Sequence, residues 1–180
     1  MSIQIRKYKD SDIPLFYEAV KESLPALSVW LPWAHKDYAV TESINWIQEM
    51  VPQIWKEEKG CEFVILNKEG DRVLGGCCLE QLDLKNKRAN IGYWVRTSAS
   101  GKGIATQACF FLLKFGFEEL GLEEIRVIPS AENPASVKVA EKLPYLSKER
   151  VPNGFQIRDQ ISDALLYSIS RQSYSKQRPI

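Results

Sequence analysis

One stretch constrains the fold of this chain more than any other. Residues 90–96 read Asn90-Ile-Gly-Tyr-Trp-Val-Arg96, an apolar strand. A polar turn, Thr97-Ser-Ala-Ser100, follows, and then Gly101-Lys-Gly-Ile-Ala-Thr106 opens an apolar run whose spacing predicts a helix over 104–120. A strand, a turn and a helix with glycines at its start form an anion site. The first turn of a helix carries backbone N–H groups with no partner, and its dipole adds partial positive charge. Glycine lets a phosphate approach that backbone without a Cβ in the way.

Two familiar phosphate loops fit poorly. A P-loop needs Gly-Lys-Ser/Thr, whereas Lys102 is followed by Gly103, so the hydroxyl for Mg²⁺ is missing. A dinucleotide fingerprint needs a third glycine where Thr106 stands, and it belongs in an early βαβ unit.

The flanking chain supplies the scaffold. Residues 3–8 alternate as a strand, and Asp10 or Ser11 can cap a helix to about residue 23. The stretch 24–33, with two prolines and two tryptophans, reads as a connection, because proline ends a helix. A second helix is expected over 41–59, kinked or broken at Pro52. Strands at 61–67 and 72–80 form a hairpin, and 88–95 is the next strand. Gly121 ends the long helix. A short strand at 124–128, a helix from Asn133 to about 142, a strand at 145–150, a turn at Pro152-Asn-Gly154 and a last strand at 161–170 complete the order. The result is β-α-α-β-β-β-α-β-α-β-β: one α/β (α+β) domain over 1–170, a mixed, mostly antiparallel sheet of about seven strands with helices on both faces, and a frayed tail at 171–180.

Composition excludes several classes. Twenty-four Lys and Arg against 23 Asp and Glu leave no basic excess for a nucleic-acid surface. The four cysteines, Cys61, Cys77, Cys78 and Cys109, match no zinc spacing, so no metal is expected. The N-terminus shows no apolar signal segment, and no run is long enough to span a bilayer, so a cytoplasmic protein with reduced thiols is expected.

Ser100-Gly-Lys-Gly-Ile-Ala105 resembles the acyl-CoA loop, Gln/Arg-x-x-Gly-x-Gly/Ala, of the GCN5-related N-acetyltransferase (GNAT) family. Gly103 and Ala105 match; Ser100 departs from Gln/Arg. Asn90-Ile-Gly-Tyr-Trp-Val95, Ala131-Glu-Asn-Pro-Ala-Ser136, Glu141-Lys-Leu-Pro-Tyr145, Val29-Trp-Leu-Pro-Trp33 and Leu165-Leu-Tyr-Ser-Ile169 are similar to features of its ribosomal-protein (RimJ/RimL-like) branch, with Pro144 in place of a glycine. The resemblance implies a GNAT fold and an acetyl-CoA-dependent N-acetyltransferase acting by direct attack on the thioester. Its acceptor would be a protein N-terminal amine; the alternatives are a small amine, such as a polyamine or aminoglycoside, or a silent acyl-CoA-binding module. A homodimer is compatible with it.

The same resemblance assigns residues. Ser100, Gly101, Lys102, Gly103, Ile104 and Ala105 would hold the pyrophosphate, and Val95 would offer backbone to the pantetheine arm. Asn133 would bond the pantetheine or the acceptor region, and Ser136 would stand near the sulfur as acid. The family's usual tyrosine falls at Ala140. Trp30, Trp33, Tyr93 and Tyr167 would meet the acceptor. The general base is left open among Glu80, Asp83, His35, Asp163 and a water chain. Asn90 stands where the branch often has Glu, and an amide cannot take the proton.

Overall fold

A computed structural model describes residues 2–176. Seven strands form one sheet in the order β1-β2-β3-β4-β5-β7-β6. They are β1 (Ile3–Arg6), β2 (Cys61–Asn67), β3 (Val73–Asp83), β4 (Arg88–Val95), β5 (Glu124–Val127), β6 (Ser147–Ile157) and β7 (Gln160–Ser170). Every adjacent pair is antiparallel except β4 and β5. That parallel pair is joined through α4 (Ile104–Lys114), as a parallel connection requires.

Helices cover both faces. On one, α1 (Ile13–Leu27) and α2 (Val40–Asn45) close a core of Phe16, Val20, Ile47, Val64, Leu66 and Val73, while α3 (Val51–Lys56) sends Trp55 against Phe63 and Phe115 of the other core. On the other, α4 and α5 (Pro134–Ala140) lie over Phe63, Leu79, Leu112, Phe117, Ile125 and Ile169. Strand β2 therefore reads almost wholly apolar, because it is buried on both sides.

Several expected boundaries move. Helix α1 runs through Pro25 to Leu27. The ring costs about 3 kcal/mol in a helix interior. Burial of Leu24 and Leu27 returns about 1.5–3 kcal/mol each. The expected break near Pro52 takes the form of a π-helical turn, Trp46–Met50, which leaves Pro52 in the first turn of α3, where its missing N–H costs nothing. The long helix likewise ends in a π turn, Phe115–Glu119, before Gly121.

The expected turn at Pro152-Asn-Gly154 lies inside β6. The strand bulges between Val151 and Phe155, and the reversal falls between β6 and β7 at Arg158 and Asp159. Strand β6 is an edge strand, so Pro152 can sit there without breaking an interior ladder. Residues Arg171–Lys176 form a short helix, α6, rather than a frayed tail; 177–180 lie outside the described residues.

Candidate active site

The glycine turn is held from behind. After β4, Arg96 turns inward and is almost fully buried. Its Nε donates to Glu22 and its Nη2 to Glu18, both at 2.5 Å from α1. The N–H of Thr97 donates to buried Ser23 Oγ at 3.0 Å, and that of Ser98 to Glu22 at 2.9 Å. Four donors from the loop thus reach one face of α1, and Glu22 takes two of them.

Gly101 and Gly103 then take φ of +75° and +77°. A Cβ built on either would meet nothing within 4 Å. Left-handed backbone, rather than protein crowding, is what demands glycine here. Gly103 is the N-cap of α4. Among the described residues, no backbone or side-chain acceptor takes the N–H groups of Gly101, Lys102, Gly103, Ile104 and Ala105. The Lys102 ammonium folds back onto Ser98 O at 2.9 Å, and Ser100 Oγ donates to Arg96 O at 3.3 Å. The loop therefore presents backbone, not its polar side chains.

The sheet opens beside this turn. Strand β4 pairs with β5 only over Arg88–Asn90, against Glu124, Ile125 and Arg126. Beyond Asn90 the two strands separate. Because Arg96 N donates to Leu74 across β3, alternation turns the backbone groups of Ile91, Tyr93 and Val95 away from β3, toward that gap. Val95 thus lies where an extended amide chain could bond it.

Across the gap stands Ser136. Asn133 caps α5, its Oδ1 accepting from Ser136 N at 3.1 Å. The Ser136 and Tyr93 hydroxyls share a hydrogen bond of 2.7 Å. Burial pushes the Tyr93 phenol well up, so it stays protonated and can donate. Ala140 is fully buried, so the usual tyrosine position is core in this chain. A tyrosine hydroxyl reaches Ser136 from β4 instead.

On the α1–α2 side of β4 lies a cavity of about 550 Å³. Tyr8, Phe16, Trp33, Tyr38, Trp46 and Trp94 wall it, and Tyr93 lies at its edge with Gly92. Among the described residues its charged lining groups are Glu42, Glu62 and Glu80, with no lysine or arginine. Of the four residues expected to meet the acceptor, Trp33 and Tyr93 line this cavity. Trp30 is half-buried outside this wall, and Tyr167 is fully buried in the core and does not line the cavity.

Of the four residues considered as base, only Glu80 faces the cavity. His35 is exposed, with Nε2 2.8 Å from Glu42. Asp83 caps its turn through Asn86, and Asp163 binds Arg150 and the N–H of Asn153. Glu62 was not foreseen. Burial first, then the Glu80 charge, pushes its carboxyl up to about 7; burial also raises Glu80. The one available signal was a glutamate in an otherwise apolar strand. Among the described residues, no three His, Cys, Asp or Glu side chains are arranged to hold a metal.

A sheet parted between two parallel strands, a backbone anion cradle at one end of the gap and a hydroxyl pair facing into it define an acyltransferase of the acyl-CoA type. The chain belongs to the GNAT acetyltransferases: the family model for the acetyltransferase (GNAT) domain matches residues 2–145. It is an enzyme of that family, whose acyl donor is acetyl-CoA. Among its relatives is the putative ribosomal N-acetyltransferase YdaF of Bacillus subtilis (strain 168), 27% identical over 98% of this chain and 95% of that one. Two solved structures share the fold. One is RimL, the ribosomal L7/L12 alpha-N-protein acetyltransferase in complex with coenzyme A, with TM-score 0.85, 18% identity and 96% of each chain covered. The other is spermidine N-acetyltransferase from Vibrio cholerae in complex with CoA and spermine, with TM-score 0.76, 17% identity and 96% and 98% covered.

Proposed function

We propose that this enzyme acetylates a primary amine that enters the aromatic cavity as an ammonium ion. The observation that carries this reading is the cavity itself: about 550 Å³, walled by aromatic rings, with three carboxylates and no basic side chain. Aromatic faces and carboxylates both favour a cation. A protein N-terminal amine is the second reading, favoured by the full-length similarity to a putative ribosomal N-acetyltransferase.

The residues fit acetyl-CoA. The free N–H groups of Gly101, Lys102, Gly103, Ile104 and Ala105 would cradle the pyrophosphate, as a helix N-terminus does for an anion. Val95 and Tyr93 would bond the pantetheine amides through backbone turned into the gap. The thioester supplies an activated acetyl carbon. Ser136 would deliver the proton to the leaving sulfur, with the Tyr93 hydroxyl holding it in place. Asn133 fixes Ser136 by capping its helix.

The test is a panel of acceptors with acetyl-CoA, following free thiol: 1,4-diaminobutane, spermidine, an aminoglycoside and peptides with free N-termini. Aliphatic diamines and polyamines should turn over at kcat/KM at least tenfold above the peptides. Peptides ahead of all small amines would replace this reading with the second one. Background rates throughout would end both.

A further inference from the structure

The cavity floor holds two carboxylates that the glycine loop and Ser136 do not use. Glu62 of β2 lies opposite Cys78 of β3, and Cys78 lies opposite Gly92 of β4, in one row across the sheet. Side chains alternate between faces along a strand, so Glu62, Cys78, Glu80 and Gly92 all face the α1–α2 side. Gly92 leaves a notch in that row. A Cβ built there would lie 2.8 Å from Cys78 Sγ and 3.5 Å from Glu80 Oε2. The Glu80 carboxylate therefore overhangs the strand that borders the gap, next to Tyr93.

We infer that Glu62 and Glu80 form the seat for the acceptor's ammonium group and together take its proton. This deepens the proposed amine acetylation and rests on it. Gly76, Cys78 and Gly92 form the floor of the seat, and Tyr8, Trp46 and Trp94 stand around it. The groups that face it from neighbouring elements are the Tyr8 phenol, the Cys78 thiol and Glu42 of α2; the Tyr93 phenol points to the other face of the sheet, toward Ser136. None of them brings positive charge.

Two carboxylates on adjacent strands, Glu62 half-buried and Glu80 at the more exposed rim of the cavity, resist carrying two charges at once. They therefore share a proton near neutral pH, with burial holding Glu62 at about 7. An arriving R–NH₃⁺ supplies the missing charge and draws the pair into the doubly ionised form. One proton then moves from the ammonium to the pair, leaving R–NH₂. The nitrogen lone pair forms the C–N bond, the C–S bond breaks as Ser136 gives its proton to the sulfur, and the second proton of the nitrogen restores the Ser136 hydroxyl. The proton taken from the ammonium replaces the shared one that the pair gave up to solvent on binding, so the pair ends as it began. An aliphatic amine, with a pKa near ~10.4 as in lysine, needs such an acceptor far more than an α-amino group near ~7.7–8.0. The pair thus selects for basic, unhindered amines.

The test reads the carboxyls directly. Side-chain carboxyl ¹³C resonances are followed through a pH titration of the wild-type protein without acetyl-CoA and assigned with Glu62→Gln and Glu80→Gln. Glu62 should titrate near 7, and 10 mM 1,4-diaminobutane should lower its midpoint by at least half a pH unit. The same concentration of 1,4-butanediol should not move it. Ordinary carboxylate midpoints for both residues, or equal shifts with diamine and diol, would overturn the inference. Each Gln variant should also lose at least tenfold in kcat/KM for amines while binding acetyl-CoA with unchanged affinity by calorimetry. The acidic limb of the kcat/KM profile should move to lower pH in Glu62→Gln. If wild-type protein acetylates amines and neither variant changes that rate, the seat is wrong and the acetyltransferase reading stands. If wild-type protein acetylates nothing, that reading falls, and the carboxyl titration still decides the seat.

Discussion

The contact between α1 and the glycine turn carries a quantitative prediction. Arg96 has only 6% of its side chain exposed, while its partners Glu22 and Glu18 are 30% and 63% exposed. Glu22→Ala removes the acceptor of both the Arg96 guanidinium and the Ser98 N–H. Breaking a fully buried ion pair costs about 3–5 kcal/mol. Here Glu22 is partly screened by solvent and Glu18 remains, so the expected loss is about 2 kcal/mol. For a chain of this size that lowers Tm by about 4–8 °C. Glu18→Ala should cost no more than about 0.5 kcal/mol, as an exposed partner does.

Because Ser98 begins the turn that leads to Gly101, Glu22→Ala should also weaken acetyl-CoA binding by about five- to tenfold, or about 1–1.4 kcal/mol. Calorimetric titration with acetyl-CoA and thermal unfolding of the same samples separate the two effects. The Ser98 side chain and N–H, together with Arg96, hold the Glu22 carboxyl down at about 2, below its unfolded value near ~4.3. Its contribution is therefore whole above that unfolded value and is lost as pH falls toward 2. Equal Tm losses for the two glutamate variants would refute the clamp, as would unchanged acetyl-CoA affinity in Glu22→Ala.

Three further perturbations test the site. Ser136→Ala should lower kcat by about tenfold, or about 1.4 kcal/mol, with KM for acetyl-CoA little changed; a loss under about threefold removes Ser136 as the acid. At Gly103 the order of acetyl-CoA affinity should be Gly, then Asn, then Ala, because Asn tolerates left-handed backbone and Ala costs about 1 kcal/mol; Ala equal to Gly by calorimetry would remove the conformational argument. Tyr167→Phe deletes a buried hydroxyl whose one neighbour of opposite character among the described residues is the Lys148 ammonium, so stability in urea should change by no more than about 1 kcal/mol and kcat should stay within twofold. A large loss of kcat there would return Tyr167 to the acceptor site.

What the sequence made legible was local. Gly101 and Gly103 announced the turn through their own conformational freedom, and the hairpin, the crossover and the Asn133 cap followed from patterns a few residues long. Four features were not local. Pro25 marked a helix stop by its own chemistry and was overruled by the burial of Leu24 and Leu27. Pro152-Asn-Gly154 had the composition of a turn, yet pairing with β7 drew it into a bulged edge strand. The carboxylate seat depends on register between strands: Glu62 and Glu80 are 18 positions apart in sequence, and only the pairing of β2 with β3 turns both into one cavity. The Arg96 clamp spans more than 70 residues, a distance at which no spacing rule operates. Tyr167 shows the reverse error, since a motif cannot reveal how deeply a side chain is buried.

The parting of β4 from β5 has a mechanical consequence. Three residue pairs, from Arg88 to Asn90, stitch the four-stranded half of the sheet to the three-stranded half. Farther along the opening, the Tyr93 and Ser136 hydroxyls form a single tie across it. The sheet is thus seamed like a book, bound at one end and latched near the other. The protonated Tyr93 phenol can donate across the opening whatever the state of Ser136. If Ser136 is the acid, its oxygen accepts that bond more strongly once its proton has gone, and the two halves stay fastened through the step that forms the thiol.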